Sequence, residues 1–449
     1  MTSTAAAPYR GAMSNDARTA GRSTERSTEL TTALANPAPA PCGGGYADGF
    51  APVAERFAAQ LASGDEIGAG FAVYHRGRCV VDLWGGRADV AADRPWTRDT
   101  RTVVFSVTKG LAAMALTLLA DRGALDWDAP VAAAWPGFAA AGKGAITVRT
   151  LVNHQGGLLG LDVPLTMDDC VLPDRRDRVL RALEQQRPAW APGTRQGYHA
   201  ITFGMYVREL FERITGDDLG AFLQRELFAP LGADVSLGTP ADVDERMATL
   251  YPPGNAGRLG RMLLAAVRAR TAEGKLARAI LRRGSFPKAA FINPRTGPLG
   301  VAVYNSIPVR RAVLAWASAT ASAHGLARAY VPFASGGVGF GRRYLQAATM
   351  APVHARQGWS ERDLVLQKPI GWAQGFVKEE PTMFSPNIES FGHPGMGGAL
   401  GWCDPVAELA IGYVMNRLDW RVRSPRALAL CHALYACAPV AGAGTVPAA

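Results

Sequence analysis

Phe105-Ser106-Val107-Thr108-Lys109 stands at the head of an apolar run, Gly110 to Ala120, in which Leu111, Met114, Ala115, Leu118 and Leu119 leave almost no polar side. A run that is apolar nearly all round predicts a buried helix. Asp121-Arg122-Gly123 ends it, with Gly123 as the C-cap. On a helix, positions i and i+3 share a face, so Lys109 can reach the hydroxyl of Ser106. A serine hydroxyl becomes a useful nucleophile when a neighbour accepts its proton. Desolvation against the apolar turn lowers a lysine pKa and keeps some neutral amine available. The helix N-terminus adds N–H donors and a positive dipole end that favour developing negative charge. By itself an S-x-x-K motif also fits an N-capping serine followed by a surface lysine, so its surroundings must decide.

Upstream, Gly70-Phe71-Ala72-Val73-Tyr74 and Cys79-Val80-Val81-Asp82-Leu83-Trp84 flank the polar turn His75-Arg76-Gly77-Arg78 and read as a β-hairpin. Phe50, Val53, Phe57 and Leu61 recur at helical spacing before it. Residues 1–45 are small, polar and rich in Pro and Gly, which predicts a disordered arm. Downstream, residues 128–328 are dominated by helical patterns, among them Phe203 to Ile214 before Gly216. Strand patterns return in Gly371 to Val377, Leu400 to Asp404 and Leu409 to Val414, and a helix follows over Ser424 to Ala436. Strands at both ends with helices between predict an α/β (α+β) domain over 46–440. Its α/β part, 46–127 and 329–440, is closed by the two chain ends around a mainly helical insertion, and 441–449 is a flexible tail.

The chain has 449 residues, 48% apolar and 19% charged, as soluble globular proteins do. Six scattered cysteines form no C-x-x-C pair, and a core this large needs no staples, so free thiols are expected. With no H-E-x-x-H run either, no metal and no other cofactor is expected. No stretch of about 18 apolar residues occurs, and Met1 to Ala40 lacks the apolar centre of a secretory signal, so cytoplasmic residence is expected. Gly137 to Gly144 reads G-x-x-x-x-G-K-G, but Gly144 replaces the Ser or Thr of a phosphate-binding loop and no strand precedes it. The net charge of +10 gathers between Tyr251 and Arg295, where Glu273 is the only acid among ten Lys and Arg residues. There Leu259, Leu263, Val267, Leu276, Ile280 and Leu281 alternate with arginines at helical spacing. Such a helix is either a solvated surface helix or a lid that can meet an anionic membrane.

Two further stretches carry chemistry. Trp190-Ala191-Pro192-Gly193-Thr194-Arg195-Gln196-Gly197-Tyr198-His199-Ala200 is a turn that delivers a tyrosine ahead of an apolar helix. Such a tyrosine can shuttle a proton if nearby cations lower its pKa from about 10. Phe391-Gly392-His393-Pro394-Gly395-Met396-Gly397-Gly398 runs into a strand, and its glycines let backbone N–H groups approach a ligand. In this order and context the motifs resemble those of the serine β-lactamase and penicillin-binding protein superfamily, in its class C-like branch with the class VIII esterases. Supporting similarity lies in Leu151 to Leu158, Leu125 to Val131 and Gly412 to Asn416, and the resemblance spans residues 50 to 435.

The resemblance implies a β-lactamase/transpeptidase-like fold, an antiparallel sheet flanked by helices. It implies Ser106 as nucleophile, Lys109 and Tyr198 as general base and acid, and the backbone N–H groups of Ser106 and Met396 as oxyanion hole. His393, Gly395, Gly397 and His199 are expected to contact substrate; His154 is expected to hold a turn. Two departures point away from β-lactams. Ala200 replaces the asparagine of the second motif, and His393, mostly neutral at pH 7, replaces the lysine of the third. A carboxylesterase or lipase-like enzyme acting on a small-molecule ester, with lipid included and nucleic acid excluded, is therefore expected. A β-lactamase or D-amino-acid peptidase of the same fold, and a non-catalytic lipid-binding or scaffold relative, are the alternatives.

Overall fold

The computed structural model describes residues 34–39, 41–253, 272–378, 384–421 and 423–441. Its centre is an eleven-stranded sheet, antiparallel at every pairing. The strands are β1 (Asn36–Pro37), β2 (Cys42–Tyr46), β3 (Gly68–His75), β4 (Arg78–Asp89) and β5 (Arg94–Pro95). Beyond the short β6 (Thr102–Val103), β7 (Val235–Ser236) and β8 (Thr320–Ala321), which form a separate three-stranded sheet, the main sheet continues with β9 (Gly358–Ser360), β10 (Ile370–Ala373) and β11 (Phe376–Lys378). It ends in chain order with β12 (Phe391–Pro394), β13 (Leu400–Asp404) and β14 (Leu409–Met415). The spatial order is β1-β2-β4-β3-β14-β13-β12-β11-β10-β9, with β5 on β4.

Two hairpins follow from turn chemistry. Arg76 and Gly77 both have positive φ, 51° and 72°, which joins β3 to β4 with the twist a two-residue turn requires. Gln374 and Gly375, at 49° and 87°, do the same between β10 and β11, so the apolar stretch from 371 to 377 is two strands rather than one. Strand β14 pairs with β13 on one side and β3 on the other, placing Ile411 opposite both Trp402 and Val73. The two chain ends thus close the sheet, as the strand patterns predict.

The expected arm over 1–45 is overturned for its last residues. Asn36–Pro37 and Cys42–Tyr46 are paired strands, β2 on β4 with Gly44 opposite Leu83. The glycines that read as disorder serve contact here: at Gly44, φ 96°, a Cβ would lie 1.9 Å from the Asp82 carbonyl. Only tertiary pairing stabilises such a segment, so composition misled. The rest of the arm, 1–33 with Ala40, and residues 442–449 of the tail lie outside the described residues; Ala441 ends a short helix, Ala438–Ala441.

Seven helices matter for the site: α1 (Ala51–Ala62), α2 (Val107–Asp121), α3 (Thr202–Thr215), α4 (Ala272–Leu281), α5 (Phe286–Ile292), α6 (Ala323–Ala334) and α7 (Pro425–Tyr435). Helix α2 packs against β11, β12 and β13 and also against α3, between the sheet and the helical part. Thirteen of its fifteen residues are therefore buried. Leu111, Met114 and Leu118 are each worth roughly 1.5–3 kcal/mol of burial. Helix α6 packs on β14 and β3, so the α/β part resumes at 323 rather than 329. In the basic insertion, Leu259, Leu263 and Val267 lie outside the described residues, while Leu276, Ile280 and Leu281 fall on α4. The lysine of the 137–144 stretch is a staple: Lys143 is buried and donates to the carbonyls of Ala140, Glu184 and Gln186.

Candidate active site

Ser106 is the N-cap of α2, yet its side chain makes no capping hydrogen bond. That separates it from an ordinary helix-starting serine, whose oxygen would accept from the first turn. The hydroxyl instead meets two polar groups, with Lys109 Nζ at 3.1 Å and Tyr198 Oη at 3.0 Å. Phe105 just before it has φ 46°, a conformation that costs a non-glycine residue energy. Its ring packs edge-on against Tyr304 at 5.2 Å, which holds that geometry.

Lys109 is 0% exposed, and its amine also donates to the Trp316 carbonyl at 3.0 Å. Removing an ammonium from water costs more than one carbonyl returns. Burial accordingly pulls the Lys109 pKa well below its usual 10.5. A neutral amine has two N–H bonds and one lone pair; with one N–H spent on Trp316, the lone pair can face Ser106.

Tyr198 sits in a segment without regular structure. Its ring stacks on Trp372, centroids 5.6 Å apart at 11°, and packs edge-on against His154. Lys109 Nζ lies 5.1 Å from the ring centroid. Proximity to a cation does not lower the phenol pKa as the sequence suggests. Burial raises it above its usual 10.0, outweighing the Ser106 hydrogen bond, so Tyr198 keeps its proton.

The third motif forms the end of β12 and the turn after it. Gly395 donates its N–H to Ala399 O at 2.6 Å, and a Cβ there would lie 2.3 Å from the Val104 carbonyl. The turn is thereby held against the residues just before Ser106. The Gly395 N–H is consumed within the turn, so this glycine serves close approach rather than a substrate hydrogen bond. Gly397, φ 87°, is buried against Leu418, and its carbonyl accepts from Arg426 and from Asp419 N–H. Between them Met396 is 45% exposed, at the open side of the turn.

His393 is buried near Tyr198, ring centroids 6.1 Å apart, and its Nε2 has no partner among the described residues. Burial, with Lys109 nearby, lowers its pKa to about 3, so it is neutral at pH 7. His199 does not fit the substrate-contacting role expected of it. It is fully buried behind Tyr198, accepts from Leu158 N–H at 3.1 Å and lies edge-on to His154. In a segment without regular structure packing decides the side, and His199 falls on the core side. His154, φ 60°, holds the turn: its carbonyl accepts from Gly197 N–H and its Nδ1 from His199 N–H.

Two contributors escaped the sequence. Trp316 acts through its carbonyl, which any residue offers, so no side-chain signal exists. Trp372 lies in β10, where a strand pattern was visible but not its pairing with Tyr198.

Comparison with known proteins adds context. The family model described as Beta-lactamase matches residues 53–434. The chain is 35% identical to the Esterase/beta-lactamase LipL of Mycobacterium tuberculosis, over 82% of this chain and 81% of that one. A solved family VIII carboxylesterase superposes with TM-score 0.76 at 33% identity, covering 88% of this chain and 99% of its own. A penicillin-binding protein homolog from Caulobacter crescentus gives TM-score 0.75 at 33% identity, with coverages of 88% and 99%.

Proposed function

The chain belongs to the Beta-lactamase family, and from that premise we propose that it is a serine carboxylesterase whose acyl-enzyme forms on Ser106. The observation that carries this reading is the placement of one hydroxyl between an amine whose pKa burial lowers and a phenol whose pKa burial raises, at 3.1 and 3.0 Å. Ser106 Oγ attacks the ester carbonyl as its proton passes to Lys109 Nζ. The developing oxyanion is met by the N–H groups of Ser106 and Met396. Collapse of the intermediate breaks the C–O bond, and Tyr198 Oη protonates the leaving alkoxide, recovering its proton from the Lys109 ammonium. Water then attacks the acyl-enzyme by the same steps in reverse, releasing the acid and restoring Ser106.

An ester is favoured over a β-lactam because neutral His393 offers no fixed positive charge for a drug carboxylate and Ala200 has no amide to bind its side chain. A residual β-lactamase activity is the second reading, supported by the double name of the Mycobacterium tuberculosis relative. Wild type and Ser106→Ala, assayed on a short-chain nitrophenyl ester and a chromogenic cephalosporin, separate the two. Turnover of the cephalosporin but not the ester reverses the assignment.

The substrate is a small-molecule ester, and its extension to lipid-like esters at an anionic membrane is the finer proposal. Its support is the described part of the insertion and its continuation to 307. There Leu281, Phe291, Ile292, Leu299 and Ile307 are exposed, and Glu273 is the only acid. Phe286 of α5 packs on Trp190 beside the Tyr198 segment, so this surface adjoins the site. Sedimentation with anionic vesicles, lost in the double variant Phe291→Ser/Leu299→Ser, is the expected result; equal sedimentation with neutral vesicles refutes it. No helix among the described residues is long and apolar enough to cross a membrane. A cytoplasmic location is proposed on the six free thiols, and fractionation tests it.

A further inference from the structure

We infer that Asp363 is the positioning residue that fixes Tyr198 as the proton donor to the leaving group, an assignment that rests on the esterase mechanism above. Asp363 is fully buried; its Oδ1 is spent on backbone N–H groups, while its Oδ2 has no hydrogen-bond partner among the described residues. Oδ1 accepts from Tyr198 N–H at 3.1 Å and from Val365 and Leu366 N–H, each at 2.8 Å. The loop that carries it is closed on itself by Asp363 N–H to the Lys368 carbonyl. It is tied to the tyrosine segment a second time by Leu364 N–H to the Gln196 carbonyl.

The Tyr198 segment has no helix or strand to hold it, so its backbone amides must be satisfied one at a time. Gly197 N–H goes to the His154 carbonyl, Tyr198 N–H to Asp363 and His199 N–H to His154 Nδ1. Three successive amides are thus clamped from two sides, by residues distant in sequence. Only the middle clamp is a carboxylate. A buried carboxylate is a costly way to cap a loop that an asparagine could cap. What the charge adds is electrostatic. Burial already holds the Tyr198 pKa high; burial also lifts the pKa of Asp363 itself, and in its ionised form Asp363 raises that of Tyr198 further. The phenol is therefore both aimed and kept protonated until an alkoxide needs its proton.

The position of the clamp makes a selective demand. A nitrophenolate leaves without help, whereas an alkoxide must be protonated as it departs. The experiment compares nitrophenyl acetate with ethyl acetate on wild type, Asp363→Ala, Asp363→Asn, Asp363→Glu and Tyr198→Phe. Asp363→Ala is expected to lower kcat/KM, which reports acylation and not the hydrolysis of the shared acetyl-enzyme, by about 30- to 100-fold on the ethyl ester and by no more than about 3-fold on the nitrophenyl ester. Asp363→Asn, whose oxygen can accept the same N–H groups, should recover about tenfold of the loss. Asp363→Glu, which moves the oxygen by one methylene, should show the same selectivity even if Asp363→Ala does not fold. Equal losses on both esters, or no loss in folded Asp363→Ala or Asp363→Glu, overturn the assignment. Tyr198→Phe separates the two levels: selective loss there without it at Asp363 refutes Asp363 alone, and no selective loss in Tyr198→Phe refutes the mechanism with it.

Discussion

The first turn of α2 and the segment around Tyr198 bring polar atoms to the same hydroxyl by opposite means. In α2 the register of the helix sets Lys109 one turn from Ser106, so a local rule fixes a 3.1 Å contact. Around Tyr198 no local rule operates, and the phenol arrives through stacking on Trp372 and amides bonded to distant residues. The half of the site built on a regular element is robust and readable. The half built on loop contacts is sensitive to anything that shifts its neighbours.

The sharpest break of this comparison is at the shared atom. Ser106→Ala removes the nucleophile and should lower kcat/KM by about 10⁴-fold or more, with loss of fluorophosphonate labelling. Retained labelling would place the nucleophile elsewhere. On the helix side, Lys109→Met should cost about 10²- to 10⁴-fold. Lys109→Arg should not rescue it, since a guanidinium stays protonated. Wild-type kcat/KM should fall on the acid side as the Lys109 amine takes a proton, and a pH profile checks that this limb vanishes in Lys109→Met.

A pair of glycine substitutions tests the contrast directly. A Cβ at Gly110 would lie 2.6 Å from the Tyr330 hydroxyl, and one at Gly197 would lie 2.7 Å from the Trp190 ring. Helical hydrogen bonds keep the Ser106–Lys109 register, so Gly110→Ala should lower the melting temperature while kcat falls less than about threefold. Gly197→Ala should shift the tyrosine and lower kcat about tenfold with little change in melting temperature. Reversal of this pattern would dissolve the distinction between the two halves.

The smallest effect is on stability. Burial lowers the folded Lys109 pKa well below its unfolded value, so between the two values the unfolded chain binds the extra proton and stability rises with pH. The penalty is absent above the unfolded lysine pKa, about 10.4, and grows as pH falls toward the lowered folded value. Lys109→Met should therefore melt about 2 °C or more above wild type at pH 7, and the gap should close toward pH 10. Calorimetry across that range checks it.

The same contrast explains what could be read from sequence. Helix α2, the β3–β4 hairpin and strands β13 and β14 were legible because side-chain periodicity records them. The turn ahead of an apolar helix marks Tyr198 as a candidate, but only the family resemblance ties it to Ser106, since nothing local marks a partner 92 residues away. Strands β1 and β2, at one end of the sheet, are not legible because glycine contact with β4 looks, in composition, like disorder. His199 was misjudged because the side on which a loop residue falls is decided by packing.

The insertion of β14 between β13 and β3 has a consequence for synthesis. Strand β3 finds one partner, β4, three residues after it ends, but the other, Leu409–Met415, emerges some 330 residues later. A growing chain carries α2 long before the sheet beneath it can close. Until the last strands arrive, β3 presents an open, apolar edge of the kind that chaperones cover, and activity should appear only once almost the whole chain has been made.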